Sequence, residues 1–192
     1  MTILLIGLAI FLGVHSTRIV ADGWRSAQIA RIGPGPWKLG YAVLSLIGFF
    51  LLLWGYGIAR QTPVVLWTPP VAMRHVAGLL TLIAFVLLAA TYVPRNGIRA
   101  RLHHPMVLSV KLWALAHLLA NGTLADVLLF GSFLVWAVLS FRAARQRDRA
   151  TGARYPAGSL AGTLATVAVG CVAWVAFAFW LHAWLIGVRP FY

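Results

Sequence analysis

Long runs of apolar residues, separated by short polar segments, make up most of this 192-residue chain. Four runs have about the length of a bilayer-spanning helix, which needs roughly 20 mostly apolar residues. These runs are Leu39–Ala59, His75–Val93, Leu124–Phe141 and Leu160–Val188. Two further runs, Met1–Val20 and Met106–Asn121, are weaker in length or composition. The pattern predicts an all-α, polytopic membrane helix bundle with six transmembrane helices, or five if residues 106–141 fold back as one re-entrant hairpin.

The basic residues are distributed unevenly among the connecting segments. The formal net charge is +13, and most Lys and Arg residues lie in three segments, 18–38, 95–101 and 142–154. The alternate connections and the C-terminal end carry only Arg60, Arg74 and Arg189. An excess of Lys and Arg in short loops marks the cytoplasmic side of a membrane protein. We therefore expect a multi-pass protein of the cell inner membrane with both termini outside.

The same distribution indicates which molecules the positively charged segments contact. Loops of this kind orient the chain and contact anionic membrane lipids, so we expect lipids as partners and no nucleic acid. Residues 142–154 are predicted to form a flexible basic loop with no further role. Residues 1–192 are predicted to form a single integral membrane domain. Cys171 is the only cysteine, which excludes an intrachain disulfide and a thiolate metal cluster.

Acidic residues are almost absent, so histidine is the principal candidate for intramembrane chemistry. The chain has no Glu and three Asp, but six His. His15 lies about 21 Å along the first span and His117 about 18 Å along the fourth, counted from opposite sides at 1.5 Å per residue. The two are therefore expected at comparable depth. His103 and His104 precede Pro105 at the start of the fourth span.

Two imidazoles on separate helices favour one kind of metal centre. Catalytic zinc sites normally have three protein ligands, and neither His-x-x-x-His nor Glu-x-x-His occurs in the chain. A b-type haem needs only two axial side chains, because the porphyrin supplies the other four nitrogens. We therefore consider haem b with His15 and His117 as metal ligands. The haem would be non-covalent, since the chain lacks Cys-x-x-Cys-His.

Several tryptophans fall in the middle of predicted spans rather than at their ends. They are Trp54, Trp113, Trp136, Trp174 and Trp180. Tryptophans at helix ends are typical of the membrane interface, whereas deeper ones are suited to line a cavity for a large planar or polyene ligand. Ordinary packing between helices explains them equally well.

The string around the fourth span resembles that of a known family. It reads His104-Pro105-Met106, then Lys111 to Gly122 as Lys-Leu-Trp-Ala-Leu-Ala-His-Leu-Leu-Ala-Asn-Gly. Together with Gly13-Val14-His15-Ser16 in the first span, it is similar to the NnrU family of bacterial membrane proteins. That family is related to the zeta-carotene isomerase of plants and cyanobacteria. The likeness covers nearly the whole chain.

The resemblance implies a cofactor and two alternative roles. NnrU members are associated with denitrification, that is, with nitrite and nitric oxide metabolism. The carotenoid relative is a haem b isomerase, in which a redox-controlled change of axial ligand lets iron act on a cis double bond. Its haem-binding histidines match His15 and His117, and His104 matches a further histidine of the motif. Arg18, Arg99 and Arg101 are the cations available for the haem propionates.

Several functions stay open on the sequence alone, and neither the substrate nor enzymatic activity follows from it. The partner is expected to be a hydrophobic polyene, for cis-trans isomerisation, or a redox partner in nitric oxide metabolism. A haem electron carrier, a transporter and a non-enzymatic scaffold are the alternatives. Proton-driven transporters commonly use intramembrane Asp or Glu, which are scarce here. A membrane methyltransferase shares the His-Pro pair but carries Glu residues that this chain lacks.

Overall fold

The computed structural model describes residues 1–191, and that range is α-helical with no β-strand. The helices are α1 (Thr2–Val20), α2 (Asp22–Ile32), α3 (Pro34–Ala59), α4 (Ala72–Tyr92), α5 (Gly97–Leu102), α6 (Pro105–Ala120), α7 (Leu124–Thr151), α8 (Leu160–Ala176) and α9 (His182–Ile186). A π-helical turn, Phe177–Leu181, joins α8 to α9. The predicted all-α membrane fold is confirmed.

Five helical segments are long and apolar enough to cross a membrane. They are α1, α3, α4, α7 and the segment Leu160–Ile186 that contains α8 and α9. The sixth predicted span, α6, is apolar but has only 16 residues. At 1.5 Å per residue it is about 24 Å long, which is shorter than the roughly 30 Å hydrocarbon core of a bilayer. The sixth crossing and the outside position of both termini therefore stay predictions.

The buried residues are mostly small, while many large apolar side chains face outward. Ala90, Ala114 and Ala116 are fully buried, whereas Leu160 and Trp184 are 76% and 79% exposed. Water would oppose such extensive apolar exposure, but lipid tails accept it. Small residues let helix backbones approach closely, which is how helices associate in a membrane. This distribution is that of helices surrounded by lipid.

Contacts within the chain define two compact units, which are described separately. The first comprises residues 1–67 and 122–140, and the second comprises residues 68–121 and those from 141 onward. The boundary passes through α7, whose first part belongs to the first unit. The prediction of a single integral membrane domain stays a prediction.

In the first unit, α1 packs along α3 at a very short distance. A Cβ atom placed on Gly48 of α3 would lie only 2.7 Å from the backbone nitrogen of Phe11, so a larger side chain is excluded there. A sharp break separates α2 from α3. Gly33 ends α2 with a φ of +86°, and Pro34 begins α3 at the position where its missing N–H costs nothing.

In the second unit, α4 packs against both α6 and α8. Asn96 lies between α4 and α5, and its side chain makes hydrogen bonds to both. Its buried amide donates to the carbonyls of Ala90 and Val93, at 3.0 and 2.6 Å, and its side-chain oxygen accepts from the Arg99 backbone at 2.7 Å. These bonds fix the turn that leads to α5 and then to His103 and His104.

One prediction about the connections is wrong. Residues 142–154 were expected to form a flexible loop, but α7 continues as a helix to Thr151. Its basic end is held by side-chain contacts of Arg145 and Asp148. The apolar pattern ends near Phe141, so a criterion based on hydrophobicity places the helix end too early.

Candidate functional site

His15 lies in the first unit, on the part of α1 that faces aromatic side chains. Its ring stacks on that of Phe11, with the centroids 4.2 Å apart. The Tyr41 and Trp136 rings lie at 5.2 and 6.1 Å. The His15 Nδ1 atom is 2.7 Å from the carbonyl oxygen of Phe11, one helical turn earlier. His15 is half-buried and lies among aromatic rings. Its hydrogen bond to the Phe11 carbonyl, which belongs to the same helix, sets the orientation of the imidazole.

His117 in the second unit has the same local arrangement. Its Nδ1 atom is 2.8 Å from the carbonyl oxygen of Trp113, again one turn earlier on the same helix. The Trp113 ring lies beside it, with a centroid distance of 5.1 Å. Two of the five mid-span tryptophans, Trp113 and Trp136, therefore lie next to the two candidate histidines. Trp54 and Trp180 instead point outward, with 61% and 65% exposure.

The shared hydrogen bond decides which ring nitrogen carries the proton in each histidine. A carbonyl oxygen only accepts hydrogen bonds, so Nδ1 must carry the proton in both histidines. The lone pair then lies on Nε2. Metal-bound histidines typically donate their other ring N–H to a carbonyl or carboxylate, which fixes tautomer and orientation. His15 and His117 each have this arrangement within their own unit.

The donor set fits a haem better than a bare metal ion. Among residues 1–191, no group of three or more His, Cys, Asp or Glu side chains could hold a metal ion. A haem needs only two axial ligands from the protein. The surroundings of His15 also contain a buried polar atom that needs a partner, because Trp136 Nε1 has no hydrogen bond within the described part of the chain. Such a donor is costly to bury unsatisfied.

A second polar cluster, which we call the Asp148 cluster, lies in the second unit. It comprises His103, His104, Arg145, Asp148 and Tyr155. The Asp148 carboxylate accepts a hydrogen bond from His104 Nε2 at 2.8 Å and one from the Tyr155 hydroxyl, which lies 3.2 Å from each of its two oxygens. Arg145 donates to His103 Nδ1 and lies 3.8 Å from Asp148. The Tyr155 ring stacks on His103 at 4.1 Å.

The phenol of this cluster is a donor at physiological pH. Partial burial raises the pKa of Tyr155, and the negative charge of Asp148 adds to the increase. The phenol therefore keeps its proton and donates it to the carboxylate. Since a carboxylate only accepts, His104 Nε2 must also carry a proton.

The backbone between His103 and its neighbours is strained. His103 has φ 71° and ψ −57°, and the His104 N–H donates to the Leu102 carbonyl at 3.0 Å. This is a γ-turn with positive φ, which is rare and strained for a residue with a side chain. Strain of this kind typically persists only where surrounding contacts enforce it, often at functional sites. Here the contacts of Arg145 and Tyr155 with the His103 ring hold the turn.

The structure brings only some of the predicted site residues together. His104 and Arg99 line the same open cleft in the second unit. Arg101 lies on the same short helix but is exposed and is absent from the cleft lining. Arg18 in the first unit lies 4.0 Å from Asp22. The assignment of Arg18, Arg99, Arg101 and His104 to a cofactor stays a prediction.

Asp126, the one acid at the start of a span, has a structural role. Its carboxylate accepts from the Thr123 backbone at 3.0 Å, while the Thr123 hydroxyl accepts from the Asp126 backbone at 3.3 Å. This reciprocal pattern caps the start of α7. The Tyr56 hydroxyl donates a third hydrogen bond at 2.6 Å. The buried carboxylate is thereby satisfied.

Sequence analysis missed the Asp148 cluster. One signal was present: Asp148 is the only acid in an otherwise basic stretch. Its partners lie 44 residues before it and seven after it in sequence. Helical periodicity does not connect these pairs, because His104 lies outside α7 and the helix ends at Thr151, between Asp148 and Tyr155.

The five long apolar helices and outward-facing large side chains define a multi-pass helical membrane protein. Comparison with family models then gives a specific assignment. The chain belongs to the NnrU family, because the model described as NnrU protein matches residues 3–190. The resemblance seen around His15 and His117 is confirmed by this match. Comparisons with curated proteins and with solved structures found no match.

Proposed function

We propose that this NnrU family member binds haem b non-covalently, with His15 and His117 as the axial ligands. The observation that carries the proposal is the hydrogen bond from each Nδ1 to the carbonyl one turn earlier. It assigns the lone pair of both rings to Nε2, the nitrogen that would bind iron. The aromatic rings beside each histidine supply the apolar, flat surroundings that a porphyrin requires.

The chain's own residues would have three tasks in such a site. His15 and His117 bind the metal, and the bonds to the Phe11 and Trp113 carbonyls hold the imidazoles in place. The neighbouring rings exclude water. Arg18, Arg99, Arg101 and His104 are the proposed polar contacts of the cofactor. When bound, haem b supplies a redox-active, Lewis-acidic iron whose potential depends on these surroundings.

We further propose that the protein acts in the cell inner membrane, among membrane lipids. The role is either in denitrification and nitric oxide metabolism or in cis-trans isomerisation of a hydrophobic polyene such as zeta-carotene. NnrU family membership supports the first role, and the abundance of aromatic rings near the histidines supports the second. The alternative is a haem electron carrier, and a redox experiment distinguishes this role from the other two.

Haem content is the direct test. The chain is purified in detergent, and haem is quantified as the pyridine haemochrome relative to protein. We expect His15→Ala and His117→Ala each to weaken haem binding by about tenfold or more, since even the loss of a residue that only hydrogen-bonds to a metal ligand costs about that much. His182→Ala is the matched control, because His182 Nδ1 also contacts a carbonyl, that of Val188 at 2.7 Å. Equal haem retention in all three variants would contradict the proposal.

Carbon monoxide distinguishes a carrier from a protein that exchanges an axial ligand. If one histidine yields its position on reduction, carbon monoxide added to the reduced protein shifts the absorption spectrum. If both histidines stay bound in both redox states, the spectrum does not shift. The first result supports ligand exchange, and the second supports electron transfer.

A further inference from the structure

An open cleft in the second unit lies beside the Asp148 cluster. Its volume is about 180 Å³, far above the roughly 15 Å³ needed for one water molecule. It lies where α4 ends and where α5 leads into α6. The lining residues are Thr91, Arg99, His103, His104, Pro105, Met106 and Val107. The cleft thus combines one guanidinium and two imidazoles with an apolar wall.

Arg99 supplies the positive charge of this cleft. One guanidinium nitrogen donates to the Thr91 carbonyl at 3.2 Å, and a guanidinium has five N–H donors in all. The three Asp side chains of the chain contact other residues. Asp22 lies beside Arg18 and Arg25, Asp126 accepts a hydrogen bond from Tyr56, and Asp148 accepts one from His104. A planar guanidinium is the side chain best suited to bind a phosphate or carboxylate through two parallel hydrogen bonds.

The two histidines present opposite hydrogen-bonding groups, because their partners fix different tautomers. His104 Nε2 donates to Asp148, so its lone pair lies on Nδ1. His103 Nδ1 accepts from Arg145, so its proton lies on Nε2. With both imidazoles in the neutral form, the cleft is lined by a cationic donor (Arg99), a neutral donor (His103) and an acceptor (His104).

We infer that this cleft binds a phosphate monoester group that still carries one P–OH, an assignment that competes with the haem contact proposed for Arg99 and His104. Arg99 and the His103 N–H donate to its anionic oxygens, and the P–OH donates to His104 Nδ1. A phosphodiester has the anionic oxygens but lacks the hydroxyl, and a carboxylate likewise cannot donate. The acceptor in the lining thus selects the monoester.

The start of α6 adds to the attraction for an anion. No side chain caps this helix, and Met106 and Val107 in its first turn belong to the lining. The first N–H groups of a helix have no partner within it, and they carry the positive end of the helix dipole. This contribution is secondary to the Arg99 charge, because it does not distinguish one anion from another.

The phosphate could belong to a lipid head group or to a water-soluble molecule, and the experiment has one arm for each. The full chain is purified in detergent at pH 7.0, where an imidazole with an ordinary pKa of about 6.5 is mostly neutral and where roughly a tenth of a phosphate monoester, with a second pKa of about 6, still carries its proton. Dioleoylphosphatidic acid, a monoester, is titrated against dioleoylphosphatidylglycerol, a diester, with binding read by native mass spectrometry. Inorganic phosphate is tested by equilibrium dialysis with a radioactive label.

Two variants of α5 and one of the γ-turn give the site-specific comparison. We expect Arg99→Gln to weaken monoester binding by about tenfold or more, the scale of a lost charge-assisted hydrogen bond. His103→Ala should also weaken it. Arg101→Gln is the matched control for phosphate binding only, because it removes the same charge from the same helix outside the cleft, whereas Arg101 is also a proposed haem contact. Helix content by circular dichroism and haem content are recorded for each preparation, so that a failure of the haem proposal leaves this measurement interpretable.

Each outcome has a defined meaning. Preference for phosphatidic acid over phosphatidylglycerol, lost in Arg99→Gln but kept in Arg101→Gln, supports a lipid-phosphate site. Binding of inorganic phosphate with the same variant dependence supports a soluble phosphate. Equal binding of monoester and diester would overturn the inference. So would equal weakening by the two arginine variants, or no binding of either ligand.

Discussion

At the scale of single residues, Asp148 organises more of the structure than any sequence pattern around it indicates. Its carboxylate accepts hydrogen bonds from His104, which begins α6, and from Tyr155, in the segment after α7. It thereby connects three segments of the second unit and helps to hold the strained turn at His103. In a chain with three acids, no other carboxylate can replace it.

Removing this charge should therefore destabilise the second unit. We expect Asp148→Asn to lower the free energy of unfolding by about 1–3 kcal/mol, the usual cost of losing hydrogen bonds to a charged group. Thermal unfolding in detergent, followed by circular dichroism, measures the change. Asp22→Asn is the control, because the pairs of Asp22 with Arg18 and Arg25 are exposed and such pairs contribute at most about 1 kcal/mol. Equal loss in both variants would show that Asp148 is not a structural centre.

The histidines show how far sequence reasoning extends at this scale. The scarcity of acids and the positions of His15 and His117 within apolar runs sufficed to select them. Their tautomers could not be selected in that way, because the proton position depends on the Phe11 and Trp113 carbonyls. These carbonyls become acceptors only because each histidine is one helical turn downstream. The structure therefore adds the tautomers of the two histidines, while their assignment to haem stays a prediction.

At the scale of elements, helix existence follows from composition, while helix ends depend on local contacts. The apolar pattern places α1, α3 and α4 within a few residues of their observed ranges. It misses the basic end of α7, where side-chain contacts extend the helix. It also misses the π-helical turn Phe177–Leu181 in the last segment, since an inserted residue of this kind leaves no distinct apolar pattern.

Close packing of α1 on α3 gives a test of the first unit. We expect Gly48→Leu to destabilise the protein by about 1–3 kcal/mol, the typical cost of overpacking, because its Cβ would be 2.7 Å from the Phe11 nitrogen. Gly57→Leu is the control on the same helix, since nothing lies within 4 Å of a Cβ at that position. Thermal unfolding of both variants in the same detergent gives the comparison. A similar midpoint for the two would contradict the close approach.

At the scale of the whole molecule, the number of crossings can be tested from the ends of the chain. Because Cys171 is the only cysteine, Cys171→Ser provides a background for single labels at Thr2→Cys and at Arg189→Cys. An even number of spans places both ends on one side. The charge distribution predicts that this side is the outside, so a membrane-impermeant maleimide should label both positions in intact cells. Labelling of only one end would indicate an odd number, with α6 not crossing.

The sequence by itself determined the class of fold, the family and the two histidines proposed to bind haem. It could do so because lipid requires long apolar helices, and because the scarcity of acids leaves few polar groups within them. The helical conformation decided the hydrogen-bond partners of His15 and His117, and only the tertiary structure decided the close approach at Gly48 and the Asp148 cluster. These features depend on atoms that are distant in sequence or on carbonyls made available by folding. Their positions are set by packing, which residue order alone does not specify.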